Sequence, residues 1–444
     1  MVSQSPGPRE KVFYLHQMGC AKNLVEGEHL AGLLMAAGWR PTAAPAEADA
    51  LIVNTCGFIR PAVEESLDAV LELAAGRRPG QRLAVAGCLV GRYGKKLAAS
   101  LEEADLLVSP GAMERLPGLL AEAEPPRLAM AAPAGVFGAA HPRALSTGPG
   151  WAYLRLADGC AHRCGFCTIP AIRGKLRSRP PEDVLAEAAE LAAGGVVELN
   201  LVAQDLTSYG QDLGCSLAEL LPELASVSGV SWVRMLYLHP DFLDEELIRV
   251  VGETPGVLPY WDLPLQHAAD AVLAAMGRRR SGAGLAGLVE RLREADSEAA
   301  IRATVMTGHP GEGEAEFARL GEFVASARLD HLGCFAYEPE PGTRSARGEA
   351  PPAETGRARA EEIMALQQRI SRERLARLVG QRRDCLVLGP HPDTALVWRG
   401  RLARQAPEVD GEVIITEGAA EPGSIAPVEI TGHHDYDLEG RIAG

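Results

Sequence analysis

The run Asp158-Gly159-Cys160-Ala161-His162-Arg163-Cys164-Gly165-Phe166-Cys167 carries three cysteines with three residues and then two residues between them. A ligating thiol must lose its proton, and three thiolates in one short loop repel unless a cation neutralises them. Three sulfurs from one loop can hold three corners of a cubane iron-sulfur cluster and leave the fourth iron open, whereas structural clusters and structural zinc take four protein ligands. An open position lets a metal centre bind a small molecule and act on it. The competing readings are a zinc knuckle completed by a distant His, and buried structural thiols; the surrounding strand-helix pattern is an unusual setting for zinc.

Outward from this loop, the pattern is α/β. Before it, Val12-Phe13-Tyr14-Leu15, Ala50-Leu51-Ile52-Val53 and Leu83-Ala84-Val85-Ala86 read as buried strands. Helices fall between them, from Glu26 to Ala37 on the spacing of Leu30, Leu33 and Leu34, and from Pro61 to about Ala75. That alternation predicts an open parallel sheet. Cys20, Cys56 and Cys88 each fall just past the carboxyl end of one of these strands, the edge where ligands gather, with glycines beside them. A second three-cysteine site is expected there. Cys215, Cys334 and Cys385 have no such spacing and read as small buried residues.

The Pro-, Ala- and Gly-rich stretch 123–150 reads as a linker or domain boundary. Beyond it six strands are expected at 152–156, 196–201, 232–236, 260–263, 301–306 and 332–335, with helices between, giving an incomplete (β/α)6 TIM-like barrel. The cysteine loop follows the first of them. Polar residues follow others: Gln204-Asp205, His239-Pro240, Gln266-His267 and the run Thr307 to Glu312 that includes Gly308. Shared position past strand ends makes Gln204, Asp205, Gln266 and His267 catalytic candidates in one cavity; solvated loop residues are the plainer reading. A charged helix over 354–375 leads to short β runs separated by Gly and Pro, predicting a small antiparallel β-barrel. The expected domains are 10–145, 146–378 and 379–444.

With 444 residues and nine cysteines, the chain is long enough for several cores, and its thiols point to metal or redox chemistry more than to disulfides. The start, Met1 to Lys11, has no apolar core of a signal peptide and no later run has membrane length, so a cytoplasmic protein with no membrane partner is expected. The net charge is −15; residues 380–444 alone hold six Arg, no Lys and eleven acidic residues. An acidic module suits a basic protein partner, not nucleic-acid phosphates.

The chain resembles the radical S-adenosylmethionine methylthiotransferases over nearly its full length. The likeness rests on Gly19-Cys20-Ala21-Lys22-Asn23, on Val53 to Ile59, on the cysteine loop continued as Thr168-Ile169-Pro170-Ala171-Ile172-Arg173-Gly174, and on Leu263-Pro264-Leu265-Gln266-His267. Asn200 to Asp205, Tyr209 to Leu213, Arg404 to Gly411 and Asp435 to Gly440 resemble the branch that modifies an aspartate of small-subunit ribosomal protein S twelve. The resemblance implies two 4Fe-4S clusters, on Cys160, Cys164 and Cys167 and on Cys20, Cys56 and Cys88, with S-adenosylmethionine as cofactor and a C-terminal TRAM domain. It implies that a deoxyadenosyl radical takes hydrogen from the aspartate β-carbon and that a methylthio group from the second cluster follows. An electron donor and a sulfur donor are implied as partners. Phe166 is placed to pack on the adenine and Gly308 to approach the cofactor; core packing is the plainer reading of Phe166. His309 stands where the family has an apolar residue, Glu338 where it has Ser, and Pro427 interrupts the last regular β run. The rival activities are methylthiolation of a transfer-RNA adenosine, which the acidic tail disfavours, and a non-catalytic iron-sulfur or zinc protein.

Overall fold

The computed structural model describes residues 10–132 and 135–443; most of the amino-terminal stretch and Pro133 lie outside the described residues. Two compact units emerge. One comprises residues 1–146, 158–160 and 168–177, the other 147–157, 161–167 and 178–444.

In the first unit the apolar runs pair as parallel strands, in the order Trp39–Pro41, Lys11–Gln17, Ala50–Thr55, Arg82–Gly87, Leu106–Val108, Leu128–Ala129. Every residue of Ala50–Thr55 is buried, as a parallel strand covered on both faces requires. Alternation divides it: Ala50 and Ile52 join Phe13, Leu30 and Leu106 on one side, while Leu51 and Val53 join Val70, Leu83 and Val85 on the other.

The first helix spans Ala21–Ala36 and begins before the leucine spacing does. Its buried face includes Asn23, Glu26, Glu28 and His29, so hydrophobic periodicity cannot register its first two turns. These polar residues also account for the stretch read as a linker. Glu28 accepts from Arg143 Nη2 at 2.6 Å and from the Ser146 amide at 2.7 Å, and Phe137 stacks on His29. Phe137, Arg143 and Ser146 of that stretch are thus tied to the helix.

In the second unit six parallel strands follow one another in chain order: Trp151–Arg155, Glu198–Val202, Trp232–Met235, Val257–Gln266, Ala300–Thr307 and His331–Ala336. The sheet is not closed, as an incomplete barrel demands. Helices Pro181–Ala193, Leu217–Ala225, Glu245–Glu253, Gly282–Ala295 and Glu314–Ala327 provide the crossovers, and Ala353–Ala376 packs beside the last strand. Ser216 with Glu219, Asp244 and Ser281 cap three of these helices through their side chains.

The C-terminal strands Arg382–His391, Thr394–Leu402, Val413–Glu417, Ile425–His433 and Leu438–Ile442 form a closed barrel. One neighbouring pair, Val413–Glu417 with Leu438–Ile442, is parallel; the rest are antiparallel. Alternating directions cannot close a ring of five strands, so one parallel pair is unavoidable. Pro427 is accommodated inside Ile425–His433. Its carbonyl accepts from the Ala443 amide at 2.8 Å, and since the nitrogen and oxygen of one strand residue face the same way, the donor it lacks faces the stretch just past Leu438–Ile442.

Residues 401–410 fill the amino-terminal mouth of the open barrel. Tyr260 and Arg302 both donate to Asp410 at 2.6 Å, Tyr153 donates to Glu408 at 3.0 Å, and Arg234 reaches the Ala403 carbonyl at 2.7 Å. Asp410 is therefore buried, and part of the acidic charge of this domain is spent inside the protein.

Candidate functional site

The three strands that end near Cys20, Cys56 and Cys88 are neighbours in the sheet, so parallel pairing brings those cysteines to one edge. Cys20 is the N-cap of the first helix, its carbonyl accepting from the Asn23 amide at 2.8 Å. Cys56 follows Thr55 directly, and Cys88 opens the helix Cys88–Ser100. Glycine lets them approach. A Cβ on Gly19, whose φ is +89°, would meet the Cys56 Cβ at 3.1 Å, and one on Gly57 would lie 2.8 Å from the Cys88 carbonyl carbon.

Each sulfur has its own donor. The Lys22 and Asn23 amides face Cys20, the Gly57 and Phe58 amides face Cys56, and Arg173 Nη2 lies 2.9 Å from Cys88 Sγ. Burial pushes the Cys88 thiol up to about 12, opposed by Arg173, and burial likewise raises Cys56. At Cys20 burial acts in the same direction, but Lys22, the Asn23 amide and Arg173 outweigh it and lower the thiol. Three converging thiols with donors aimed at the sulfurs fit a cluster held by three thiolates. Among the described residues no three His, Cys, Asp or Glu are grouped around one ion. A cubane takes each thiolate on a different iron, so its ligands are spread more widely.

In the central loop, the Cys160 amide donates to the Gly174 carbonyl at 3.2 Å. Further along, the Cys167 amide donates to the Cys164 carbonyl at 3.2 Å, while the Gly165 amide donates to Met276 and its carbonyl accepts from Ser345, both at 2.8 Å. A Cβ on Gly165 would meet Ser345 Oγ at 2.7 Å, so this pinning requires glycine. Burial raises the Cys164 thiol, with Arg278 acting against it. The donor set, three half-buried thiols and no fourth protein ligand in the motif, suits a cluster with an open iron. Phe166 packs against Ala269, Val272 and Met276, with its edge toward His309 at 6.4 Å between centroids.

The polar residues at the carboxyl ends of the barrel strands are largely engaged with one another. Asp205 is buried and accepts from His162 Nε2 and Ser208 Oγ at 2.6 Å, from the Thr207 amide at 2.9 Å and from the His239 amide at 3.1 Å. It organises three segments of this edge, and half-buried Gln204 precedes it. Burial and then Arg278 hold His239 neutral, its pKa down to about 3. His267 is fully buried: its Nδ1 accepts from the Ala269 amide at 3.0 Å, so Nε2 carries the proton toward Glu312 at 3.2 Å. Arg359 completes that chain, donating to Glu312 Oε1 at 2.7 Å, and the Gly308 amide donates to the same oxygen at 2.9 Å.

Gln266 adopts φ +73° and Tyr237 φ +63°, uncommon for residues with side chains. Both stand at strand ends, where strained backbone of order 1–3 kcal/mol per residue is held by its surroundings and clusters at working sites. His309 donates from Nδ1 to the Pro310 carbonyl and accepts at Nε2 from Ser345, at 2.9 and 2.8 Å; burial lowers its pKa to about 4. A neutral, doubly bonded imidazole thus fills this position. Cys385 is buried in the β-barrel core, while Cys215 and Cys334 are only half-buried.

Arg173, Glu26, His162 and Ser345 gain partners that the sequence reading did not give them. One signal was available: Glu26 shares the face of Leu30 and Leu33, where a lone carboxylate calls for a buried cation.

Matches to family models follow the same order along the chain: Uncharacterized protein family UPF0004 over residues 12–109, the Radical SAM superfamily over 154–324 and the TRAM domain over 379–443. This defines a three-part radical SAM protein. Its fold is shared with the structure of the radical S-adenosylmethionine methyltransferase TsrM from Kitasatospora setae with cobalamin and 4Fe-4S cluster bound, at a TM-score of 0.57, 16% identity and coverage of 76% of this chain and 77% of that one. The chain is 44% identical to the ribosomal protein uS12 methylthiotransferase RimO of Anaeromyxobacter sp. (strain Fw109-5), over 97% of its own length and 92% of the relative's. It is 43% identical to that of Syntrophobacter fumaroxidans, over 96% and 98%. The chain belongs to the RimO family of ribosomal protein uS12 methylthiotransferases.

Proposed function

We propose that this enzyme methylthiolates the β-carbon of an aspartate in ribosomal protein uS12, with S-adenosylmethionine and two 4Fe-4S clusters. Residues 10–145 hold one cluster through Cys20, Cys56 and Cys88; residues 146–378 hold the other through Cys160, Cys164 and Cys167; residues 379–444 form the substrate-side TRAM module. The observation that carries this reading is the strand-end trio, three thiols from separate stretches converging at one sheet edge with a hydrogen-bond donor for each sulfur. A radical initiator alone does not need it. A carbon-hydrogen bond beside a carboxylate is too weakly acidic for a side-chain base, and the bound groups supply the electron, the radical and the sulfur that the reaction requires.

The protein's own residues hold and shield. Gly165, Met276 and Ser345 fix the loop, and Phe166 offers an apolar face for an adenine. Asp205 and His267 stand just past the ends of Glu198–Val202 and Val257–Gln266, two strands separated by Trp232–Met235, as organising groups, with Gln204 and Gln266 beside them for polar contacts to substrate or cofactor. The partners are uS12, an electron donor and a sulfur donor, and the protein works in the cytoplasm. No helix among the described residues is long and apolar enough to cross a membrane.

Anaerobic mass spectrometry tests the substrate. Given reductant, sulfide and S-adenosylmethionine together with both uS12 and transfer RNA, the methylthio group is expected on the aspartate of uS12. Its appearance on RNA alone would overturn the assignment. Zinc in place of iron, or no cleavage of S-adenosylmethionine, would overturn the reading as a radical enzyme.

A further inference from the structure

We propose that Arg173 is a positioning residue for the cluster at Cys20, Cys56 and Cys88, fixing the Cys88 sulfur and easing that cluster's one-electron reduction. The inference rests on the reading that these thiols hold a cluster. Arg173 is buried, and its Nη2 lies 2.9 Å from Cys88 Sγ. The guanidinium is not free to turn away. Glu26 engages both of its terminal nitrogens, Nη2 at 2.7 Å, while Asn23 Oδ1 lies at 3.4 Å and Asp158 at 3.8 Å.

Asn23 is in turn held by its Nδ2, which donates to the Met18 carbonyl at 2.6 Å. A planar fork clamped on one side by a carboxylate keeps its remaining N–H aimed at the sulfur.

Neutralising Glu26 would need no contact with a thiol. The sulfur contact is what distinguishes a tuning role from a structural ion pair. Cys88 is the most buried of the three cysteines, so a charge beside it is least screened by water. When the cluster gains an electron it becomes one unit more negative. A cation hydrogen-bonded to a ligand sulfur stabilises that reduced form more than the oxidised one, and the Glu26 charge behind the guanidinium is too far from the sulfur to cancel it fully.

The test uses the full chain with Cys160, Cys164 and Cys167 changed to Ala, reconstituted anaerobically with iron and sulfide. The remaining cluster is titrated with dithionite, which ends as sulfite while each cluster takes one electron, and is followed by paramagnetic resonance. Arg173→Lys keeps the charge and loses the fork. The pair Glu26→Leu with Arg173→Met removes both charges, so that no buried carboxylate is orphaned.

The paired variant is expected to be about tenfold harder to reduce, a shift of about 59 mV to lower potential, with Arg173→Lys between it and the parent. Loss of iron from the paired variant while the parent retains it also supports the role, through fixation of Cys88. Unchanged potential and iron content in both variants would overturn it. Failure of the parent itself to take up iron would instead overturn the cluster reading on which the inference rests.

Discussion

Cys164→Ala is expected to reduce cleavage of S-adenosylmethionine to background, whereas Cys56→Ala leaves cleavage near the parent level and loses methylthio transfer. On the proposed assignment the two cysteines separate initiation from sulfur supply, because each belongs to a different set. Cys164 shares its loop with Cys160 and Cys167, and removing one of three thiolates leaves a cluster with too few protein ligands to be retained. Cys56 sits at the sheet edge with Cys20 and Cys88. Its loss leaves every contact of the Gly165 loop in place. Cleavage is read as deoxyadenosine and transfer as added mass on uS12, with iron content measured on each variant. If Cys56→Ala stopped cleavage as well, the division of labour would be wrong.

Glu198→Ala is expected to cost about 3–5 kcal/mol of unfolding free energy at neutral pH, the range for breaking a buried ion pair from one side. Glu198 is fully buried and lies between Arg234, 2.8 Å away, and Arg401 of the β-barrel. Its removal strands two guanidinium groups where the amino-terminal mouth of the barrel meets residues 401–410. Against a typical total of about 5–15 kcal/mol this is a large fraction. Denaturant unfolding of parent and variant measures it.

The pH dependence follows from the same contacts. Burial by itself would raise the Glu198 carboxyl, but Arg401 and Arg234 outweigh it and hold the pKa below the ordinary value. A depressed carboxyl contributes stability above its unfolded pKa, and that contribution is lost as pH falls through the folded value. The stability difference between parent and Glu198→Gln should thus be complete at neutral pH and shrink only in acid, below the ordinary carboxylate pKa of about 4.3. A difference that grew on acidification would contradict the assignment.

Much of this was legible in the chain itself. The strand Ala50–Thr55 opens on the continuous apolar run Ala50 to Val53, and a parallel sheet buried on both faces suits such short runs. The Cys160, Cys164 and Cys167 loop was readable as a candidate site because its cysteines are local. Cys20, Cys56 and Cys88 were reachable because parallel topology alone determines which strand ends are neighbours. The first turns of the helix Ala21–Ala36 were not, since its buried side chains there are polar and their partners lie far along the chain: Arg143 for Glu28, Arg173 for Glu26.

The same limit explains the run Arg404 to Gly411. It marked a family resemblance in sequence, but only folding shows Asp410 seated against Tyr260 and Arg302. Sequence determined the element types, the two cysteine sets and the order of domains, because periodicity and short-range spacing encode them directly. Tertiary structure decided which charges are buried together, which donor faces Cys88 and what fills the mouth of the barrel. Those depend on contacts between residues distant in the chain, for which one sequence carries no periodic signal.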